Sequence, residues 1–271
     1  MVAYDGGADE VMSYGGVTDA DVRDLIHGCI FTRGPKDLKN TAVFVGGADI
    51  AVGEQLLAAA TAAMFKPFTV SAMLDSNGSN TTAVAAVAKM ANVAGDVRGK
   101  RVLIVAGTGP VGIRAAGLFA KAGADVCITS RKAEAGERAR DLVLKRVGGK
   151  VRAIAMADAS EAVRACERAE LLLNAGPAGV MLIPKQAWAN RPGLKVVADV
   201  NAVPPLGIEG VNVTDDGVTK EGVVCLGALA IGNLKMKVHK ACIARLFERN
   251  DLVLDAETIA DVARELVAPQ Q

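Results

Sequence analysis

Between Arg101 and Gly123 the chain carries a pattern that few folds accommodate. Arg101–Ala106 is a short run of β-branched and aliphatic residues, the composition of a strand buried on both faces. Gly107-Thr108-Gly109-Pro110-Val111-Gly112 follows in G-x-G-x-x-G spacing, and Ile113–Ala122 has helical composition up to Gly123. Strand, glycine turn and helix in that order form a dinucleotide-binding turn. Gly107 is expected to permit the tight turn, Gly109 to let the backbone approach a pyrophosphate, and Gly112 to let the helix pack close to the strand. The helix N-terminus then offers free N–H groups and partial positive charge to the phosphates.

The next strand, Asp125–Thr129, ends in Ser130-Arg131-Lys132. A site that prefers NAD places Asp or Glu about 20 residues past the glycines, on the ribose 2′-hydroxyl. A hydroxyl and two cations suit a 2′-phosphate instead, so the reading is NADP.

Composition excludes several other classes. Only 3% of residues are aromatic and the net charge is +1, which leaves nucleic acid neither stacking platforms nor a basic surface. Cys29, Cys127, Cys166, Cys225 and Cys242 are far apart without a C-x-x-C, and His27 and His239 are the only histidines, so no metal centre or disulfide framework is expected. With no signal segment and no long uncharged apolar run, the chain reads as cytoplasmic, without a membrane partner. The 51% apolar content supports a large core and implies a homo-oligomer.

From the start, Val2-Ala3-Tyr4 reads as the tail of a strand leading into Asp5-Gly6-Gly7-Ala8-Asp9, and its brevity places the natural start upstream of Met1. Thr18 caps a helix running to about His27, and Phe31-Thr32-Arg33-Gly34-Pro35 is a turn carrying a cation. Thr41–Val45 is a strand ending in a second Gly-Gly-Ala-Asp string, followed by a helix over Ile50–Met64. Thr69–Leu74, a third strand, ends in Asp75-Ser76-Asn77-Gly78-Ser79-Asn80-Thr81-Thr82 before a helix over Ala83–Ala94. That loop holds two amides, a carboxylate and four hydroxyls in eight residues, more than capping requires, and so reads as a hydrogen-bonding ligand site.

Gly95–Lys100 is the natural hinge. Beyond it, helices over Ala133–Val147, Ser160–Ala169 and about Pro184–Ala189 alternate with strands over Val151–Met156, Leu171–Asn174, Lys195–Asp199 and Val223–Leu226. Asp158 is expected near the adenine, Asn174-Ala175-Gly176 near the nicotinamide ribose, and Asp199 and Asn201 along the cleft. Leu234–Arg249 forms a helix that puts Lys235 and His239, four apart, on one face, and Asp255–Val267 closes the chain.

Tyr4–Asp9, Phe31–Gly34, Leu74–Thr82, Gly107–Gly112 and Leu234-Lys235-Met236-Lys237-Val238-His239 together resemble the NADP-dependent methylene-tetrahydromethanopterin dehydrogenases of methylotrophic bacteria. The resemblance covers essentially the whole chain. It implies a two-domain α/β architecture: an N-terminal α/β pterin domain (residues 1–97 and 233–271), a Rossmann-type parallel-sheet NADP domain (98–232), and a C-terminal helix returning to the first domain. It further implies hydride transfer from the methylene bridge of a reduced pterin to NADP in one-carbon metabolism (formaldehyde oxidation). The catalytic set it suggests is Lys235, Asp75 and Asn77, with Asp5, Arg33, Asn80 and His239 binding substrate. The alternatives are a methylene-tetrahydrofolate dehydrogenase without cyclohydrolase activity, since no Tyr-x-x-x-Lys helix occurs in the first domain, and a non-catalytic NADP-binding sensor.

Overall fold

The computed structural model describes residues 1–267. In chain order the elements are α1 (Val2–Asp5), α2 (Asp19–Ile30), β1 (Ala42–Val45), α3 (Ile50–Ala63), β2 (Ser71–Leu74), α4 (Ser79–Ala94), β3 (Arg101–Val105), α5 (Pro110–Lys121), β4 (Asp125–Ser130) and α6 (Ala133–Val147). They continue as β5 (Lys150–Ala155), α7 (Ala162–Cys166), β6 (Leu171–Asn174), β7 (Val196–Asp199), β8 (Asp216–Lys220), β9 (Val223–Leu226), α8 (Ala228–Leu246), β10 (Val253–Leu254) and α9 (Ala256–Val267). The chain divides into two compact units, Met1–Thr81 with Met236–Leu266, and Thr82–Lys235 with Val267. The divisions fall inside α4 and α8, so each of these helices continues from one unit into the other.

The first unit holds a three-stranded parallel sheet in the order β1-β2-β10. Its central strand β2 is buried throughout, as a strand flanked on both sides must be. The strand expected at Val2–Tyr4 is instead one helical turn, closed by Asp5 N–H to Met1 carbonyl (3.0 Å) and Gly6 N–H to Val2 carbonyl (2.9 Å). The turn lies against α8, where a Cβ on Gly6 would stand 2.5 Å from Ile243. The sheet's third strand comes from the other end of the chain: Ala72 N–H meets Leu252 carbonyl (2.8 Å), and the Ser71 hydroxyl donates to Arg249 carbonyl (2.7 Å). Two residues, Val253 and Leu254, are too few to show alternation in the sequence.

Helix α2 opens with a capping box, in which the Asp21 carboxylate accepts from the Thr18 backbone N–H (2.8 Å). It runs three residues past His27 because Ile30 completes the buried stripe Val22, Ile26, Ile30, which joins Leu38, Ala60 and Val70 in one apolar cluster.

The second unit is a seven-stranded sheet in the order β5-β4-β3-β6-β7-β9-β8. Six strands are parallel and β8 is antiparallel. Renumbered within the unit, the parallel strands run 3-2-1-4-5-6, the doubly wound dinucleotide order whose switch point lies between β3 and β6. Strand β8 was not expected from sequence. Four of its five residues are exposed, and Asp216 and Lys220 end it in charges, as suits a sheet edge. The helix expected over Ser160–Ala169 is a 3-10 turn (Ala159–Glu161) and the five-residue α7, and that expected near Pro184–Ala189 is one 3-10 turn over Lys185–Ala187. The core behind them is built on fully buried Trp188, whose indole N–H donates to Glu209 carbonyl (2.9 Å).

Candidate functional site

In the second unit, the glycine turn sits where β3 gives way to α5. A Cβ on Gly107 would lie 2.6 Å from Ile128 Cβ, and one on Gly112 would lie 2.6 Å from Gly107 Cα. Both glycines are therefore demanded by packing within the chain. The left-handed residue of the turn is Ala106 (φ 53°), not Gly107, so Gly107 serves the approach to β4 rather than the turn's dihedrals. Thr129 holds that strained residue: its hydroxyl accepts the Ala106 N–H (3.1 Å), and its carbonyl accepts the Gly107 N–H (3.0 Å). Thr129 was not expected as part of the site, since in the sequence it is one more β-branched strand residue.

Gly109 is different. A Cβ there would meet nothing nearer than Ala106 carbonyl oxygen at 3.5 Å and Ala175 carbonyl oxygen at 3.9 Å, and its φ of −77° suits any residue. Packing within the chain does not require this glycine, whereas a pyrophosphate drawn against the backbone does. Pro110 stands at the first helical position, where its missing N–H costs nothing, and Thr108, Val111 and Gly112 complete the turn. The residues present thus fit a dinucleotide phosphate.

Ser130 is buried at the end of β4 and accepts the Lys132 N–H (3.3 Å). Arg131 and Lys132 are exposed and form no ion pair with any described residue. Asp158 is exposed and caps the following 3-10 turn through Ser160 N–H (2.8 Å), and the Ser160 donors hold its carboxyl below the usual range.

At the ends of β6 and β7, Asn174 and Asp199 form one buried unit. The Asn174 amide donates to Asp199 Oδ1 (2.8 Å) while its oxygen accepts the Gly176 N–H (3.2 Å). Asp199 also accepts the N–H groups of Asn201 (3.0 Å) and Ile208 (2.9 Å). Burial pushes its carboxyl above the usual range, against the lowering by these donors. Asn201 is turned into its own loop, with its oxygen on Val203 N–H (2.9 Å) and its amide on Pro205 carbonyl (3.2 Å).

In the first unit, Asp75, Asn77, Asn80 and His239 come together beside the ends of β1 and β2. The Asp75 carboxylate is buried and accepts the Thr81 N–H (3.1 Å) and Thr81 hydroxyl (2.6 Å), with His239 Nδ1 3.9 Å from Oδ2. That capping explains why α4 starts at Ser79 rather than Ala83. Asn80 is buried, its amide on Leu74 carbonyl (2.6 Å). Asn77 is exposed and left-handed (φ 53°), with its N–H on Gly47 carbonyl (2.7 Å). His239 stacks on Phe44, ring centroids 5.6 Å apart and planes within 17°. Phe44 and Thr81 are the two members that sequence reasoning did not single out. Phe44 could have been found as an aromatic on a short strand ending in the glycine loop.

Asp5 pairs with Lys240 (2.8 Å), whose ammonium holds its carboxyl below the usual range. Arg33 is exposed and unpaired among the described residues. Lys235 is half-buried on α8, one turn before His239, and α8 begins at Ala228 rather than Leu234, its first turn closed by Ile231 N–H on Gly227 carbonyl (3.1 Å). Among the described residues, no three His, Cys, Asp or Glu side chains gather as a metal site, and no helix is long and apolar enough to cross a membrane.

Known proteins agree with this architecture. In solved structures, the ligand-free 5-ketofructose reductase of Gluconobacter sp. strain CHM43 matches with a TM-score of 0.51 at 20% identity, over 98% of this chain and 92% of that one. Shikimate 5-dehydrogenase from Listeria monocytogenes matches with a TM-score of 0.50 at 14% identity, over 91% of this chain and 83% of that one. At such identities they speak for the fold alone. Residues 1–77 match the family described as methylene-tetrahydromethanopterin dehydrogenase, N-terminal. The bifunctional protein MdtA of Methylorubrum extorquens is 47% identical over 98% of this chain and 93% of its own length. The NAD(P)-dependent methylenetetrahydromethanopterin dehydrogenase of the same organism is 33% identical over 98% of this chain and 92% of its own. With identity of that level sustained end to end, the chain belongs to the methylene-tetrahydromethanopterin dehydrogenase family.

Proposed function

We propose that the protein is an oxidoreductase that moves a hydride from the one-carbon bridge of methylene-tetrahydromethanopterin to NADP, giving methenyl-tetrahydromethanopterin in one-carbon metabolism. Family membership supports the substrate. The observation that carries the cofactor is Gly109, a glycine that packing within the chain does not require, at the N-terminus of α5. NADP supplies the hydride acceptor. Its phosphates are assigned to the backbone of Gly107–Gly112, its 2′-phosphate to Ser130, Arg131 and Lys132, and its nicotinamide ribose to the Ala175–Gly176 backbone; Asp158 stands on the adenine side.

The pterin is assigned to residues 1–97 and 233–271, and NADP to residues 98–232. Asp75 and Asn80 orient the Ser76–Gly78 loop, a role supported by the commitment of their polar atoms to Thr81 and Leu74. Asn77 presents its amide to the pterin, His239 and Phe44 offer a stacked flat surface, and Asp5 and Arg33 contribute charge at the rim. Lys235 is assigned a place by the reacting ring. Hydride transfer of this kind asks the protein mainly for alignment and exclusion of water, because the substrate's own nitrogens stabilise the cation left behind. We further propose a cytoplasmic homo-oligomer, supported by five free cysteines and by the exposed Met12, Tyr14 and Phe31.

The test is absorbance at the NADPH band with purified protein, NADP and methylene-tetrahydromethanopterin, with methylene-tetrahydrofolate and NAD in parallel. Reduction that is fastest with the methanopterin and NADP is expected. NADP binding without turnover of either pterin would replace the enzyme reading with a sensor.

A further inference from the structure

Nearly every polar atom at the ends of β6 and β7 is already spent. Asn174 has no solvent exposure and Asp199 only 1%. The Asp199 carboxylate takes three N–H donors, from the Asn174 amide and from the backbones of Asn201 and Ile208. Asn174 is a two-ended link: its amide is held by Asp199, and its oxygen holds the N–H of Gly176. Between those ends lies Ala175, whose N–H bonds Val105 carbonyl (3.0 Å) and whose carbonyl oxygen lies 3.9 Å from the position of a Cβ on Gly109. The Ala175 peptide therefore faces the glycine turn across the switch point. Gly207 closes over the pair, for a Cβ there would stand 2.8 Å from Asp199 Oδ1 and run into the Asn174 amide. No side chain at 207 can enter, so the link has one geometry.

We infer that Asp199 is a positioning residue for hydride transfer: it stays clear of the cofactor and fixes the Ala175–Gly176 backbone by setting the Asn174 amide. The inference rests on the reading that this unit binds NADP. A charged, buried carboxylate suits this task because it is an acceptor on every face, so the Asn174 side chain can adopt only one of its two amide orientations. Asn at 199 sets an NH2 against either the Ile208 N–H or the Asn174 amide and Asn201 N–H, and so weakens the hold on that orientation. The adenine half and the phosphates, bound elsewhere in the unit, should be little affected.

The test measures NADPH dissociation constants and single-turnover hydride transfer in wild type, Asp199→Asn, and the exchange Asn174→Asp/Asp199→Asn, which restores an N–H to carboxylate bond with its polarity reversed. Asp199→Asn is expected to slow hydride transfer 10- to 100-fold while the NADPH dissociation constant moves less than about threefold. The exchange is expected to transfer hydride at least threefold faster than Asp199→Asn. A merely structural role predicts a lower melting temperature with unchanged transfer per bound cofactor and no recovery, and that result overturns the inference. Should Asp199→Asn fail to fold, Asn174→Ala breaks the same link and leaves Asp199 its two backbone donors, and a wild-type transfer rate in it overturns the inference equally. Absence of NADPH binding by the wild type would defeat the cofactor reading itself, and the positioning role with it.

Discussion

Gly109→Ala and Gly112→Ala are the same chemical change three residues apart, and the structure gives them opposite consequences. At 112 the new methyl would lie 2.6 Å from Gly107 Cα, 2.9 Å from Gly107 carbonyl carbon and 3.0 Å from Ala106 carbonyl oxygen, all backbone atoms that cannot swing aside. Overpacking of that kind costs roughly 1–3 kcal/mol. The gain of alanine over glycine in a helix, about 1 kcal/mol, offsets part of it. The net is a loss of up to about 2 kcal/mol, a fall of up to about 8 °C in the melting of a unit this size. At 109 the methyl meets only ordinary contacts, in a backbone conformation alanine adopts freely. The loss of chain entropy in the unfolded state stabilises by roughly 0.4–1 kcal/mol, and the poorer N-cap offsets most of it. Melting should move by no more than about 2 °C. Binding should behave in reverse. A methyl at 109 holds a pyrophosphate off the backbone N–H groups, and losing one charge-assisted hydrogen bond costs about 1.5–3 kcal/mol, a tenfold to hundredfold rise in the NADPH dissociation constant. Calorimetric titration with NADPH and a thermal melt on each variant decide it. Wild-type NADPH affinity in Gly109→Ala, or a melting loss equal to that of Gly112→Ala, would refute the reasoning.

Arg131→Ala should raise KM for NADP about tenfold, the loss of roughly 1.5 kcal/mol from one charged contact, and leave KM for NAD within about twofold; equal effects on the two cofactors would remove the 2′-phosphate role. Asn77→Gly keeps the left-handed backbone that φ 53° requires and deletes only the amide, so pterin turnover should fall at least fivefold with NADPH affinity unchanged, and an unaltered steady-state profile would sink the assignment. Thr81→Val leaves a buried carboxylate oxygen short of its shortest donor and should destabilise the first unit by about 1–3 kcal/mol in urea unfolding, with Thr81→Ser restoring most of it; a neutral Thr81→Val would show that Asp75 does not need the hydroxyl.

What the sequence made legible follows from range of interaction. The glycine turn, Ser130-Arg131-Lys132 and the N-cap at Thr18 are local signals, in which a few neighbouring residues carry the whole physical argument, and the structure places them in the strand–turn–helix and helix-start contexts expected. Strand β10 depends on Ala72 and Leu252, 180 positions apart, and no local pattern announces such a pair. Val2–Tyr4 failed for a related reason: three apolar residues suit a strand or a helical turn equally, and the choice was made by Ile243 and Lys240 far along the chain. The early start of α4 was hidden by polar residues that look like loop until a carboxylate caps them. Phe44 escaped notice because its partner, His239, lies on another element.

The carboxylates show why strand-end acids are easily misjudged from sequence. Asp75 follows β2 and Asp199 ends β7, the positions where α/β enzymes keep their working groups. Each is buried, and each is committed to hydrogen-bond donors of its own unit: Thr81 for Asp75, and Asn174 with two backbone N–H groups for Asp199. A group so committed can shape a loop but has little left to give a ligand. In both units the acid therefore organises, and the proposed ligand contacts are what it organises, the exposed Asn77 in the first and the Ala175–Gly176 backbone in the second. That division suits a reaction whose substrate stabilises its own cation. Such a reaction gains little from a strong acid or base and much from a backbone that cannot drift, and buried, fully bonded carboxylates are what fix a backbone in place.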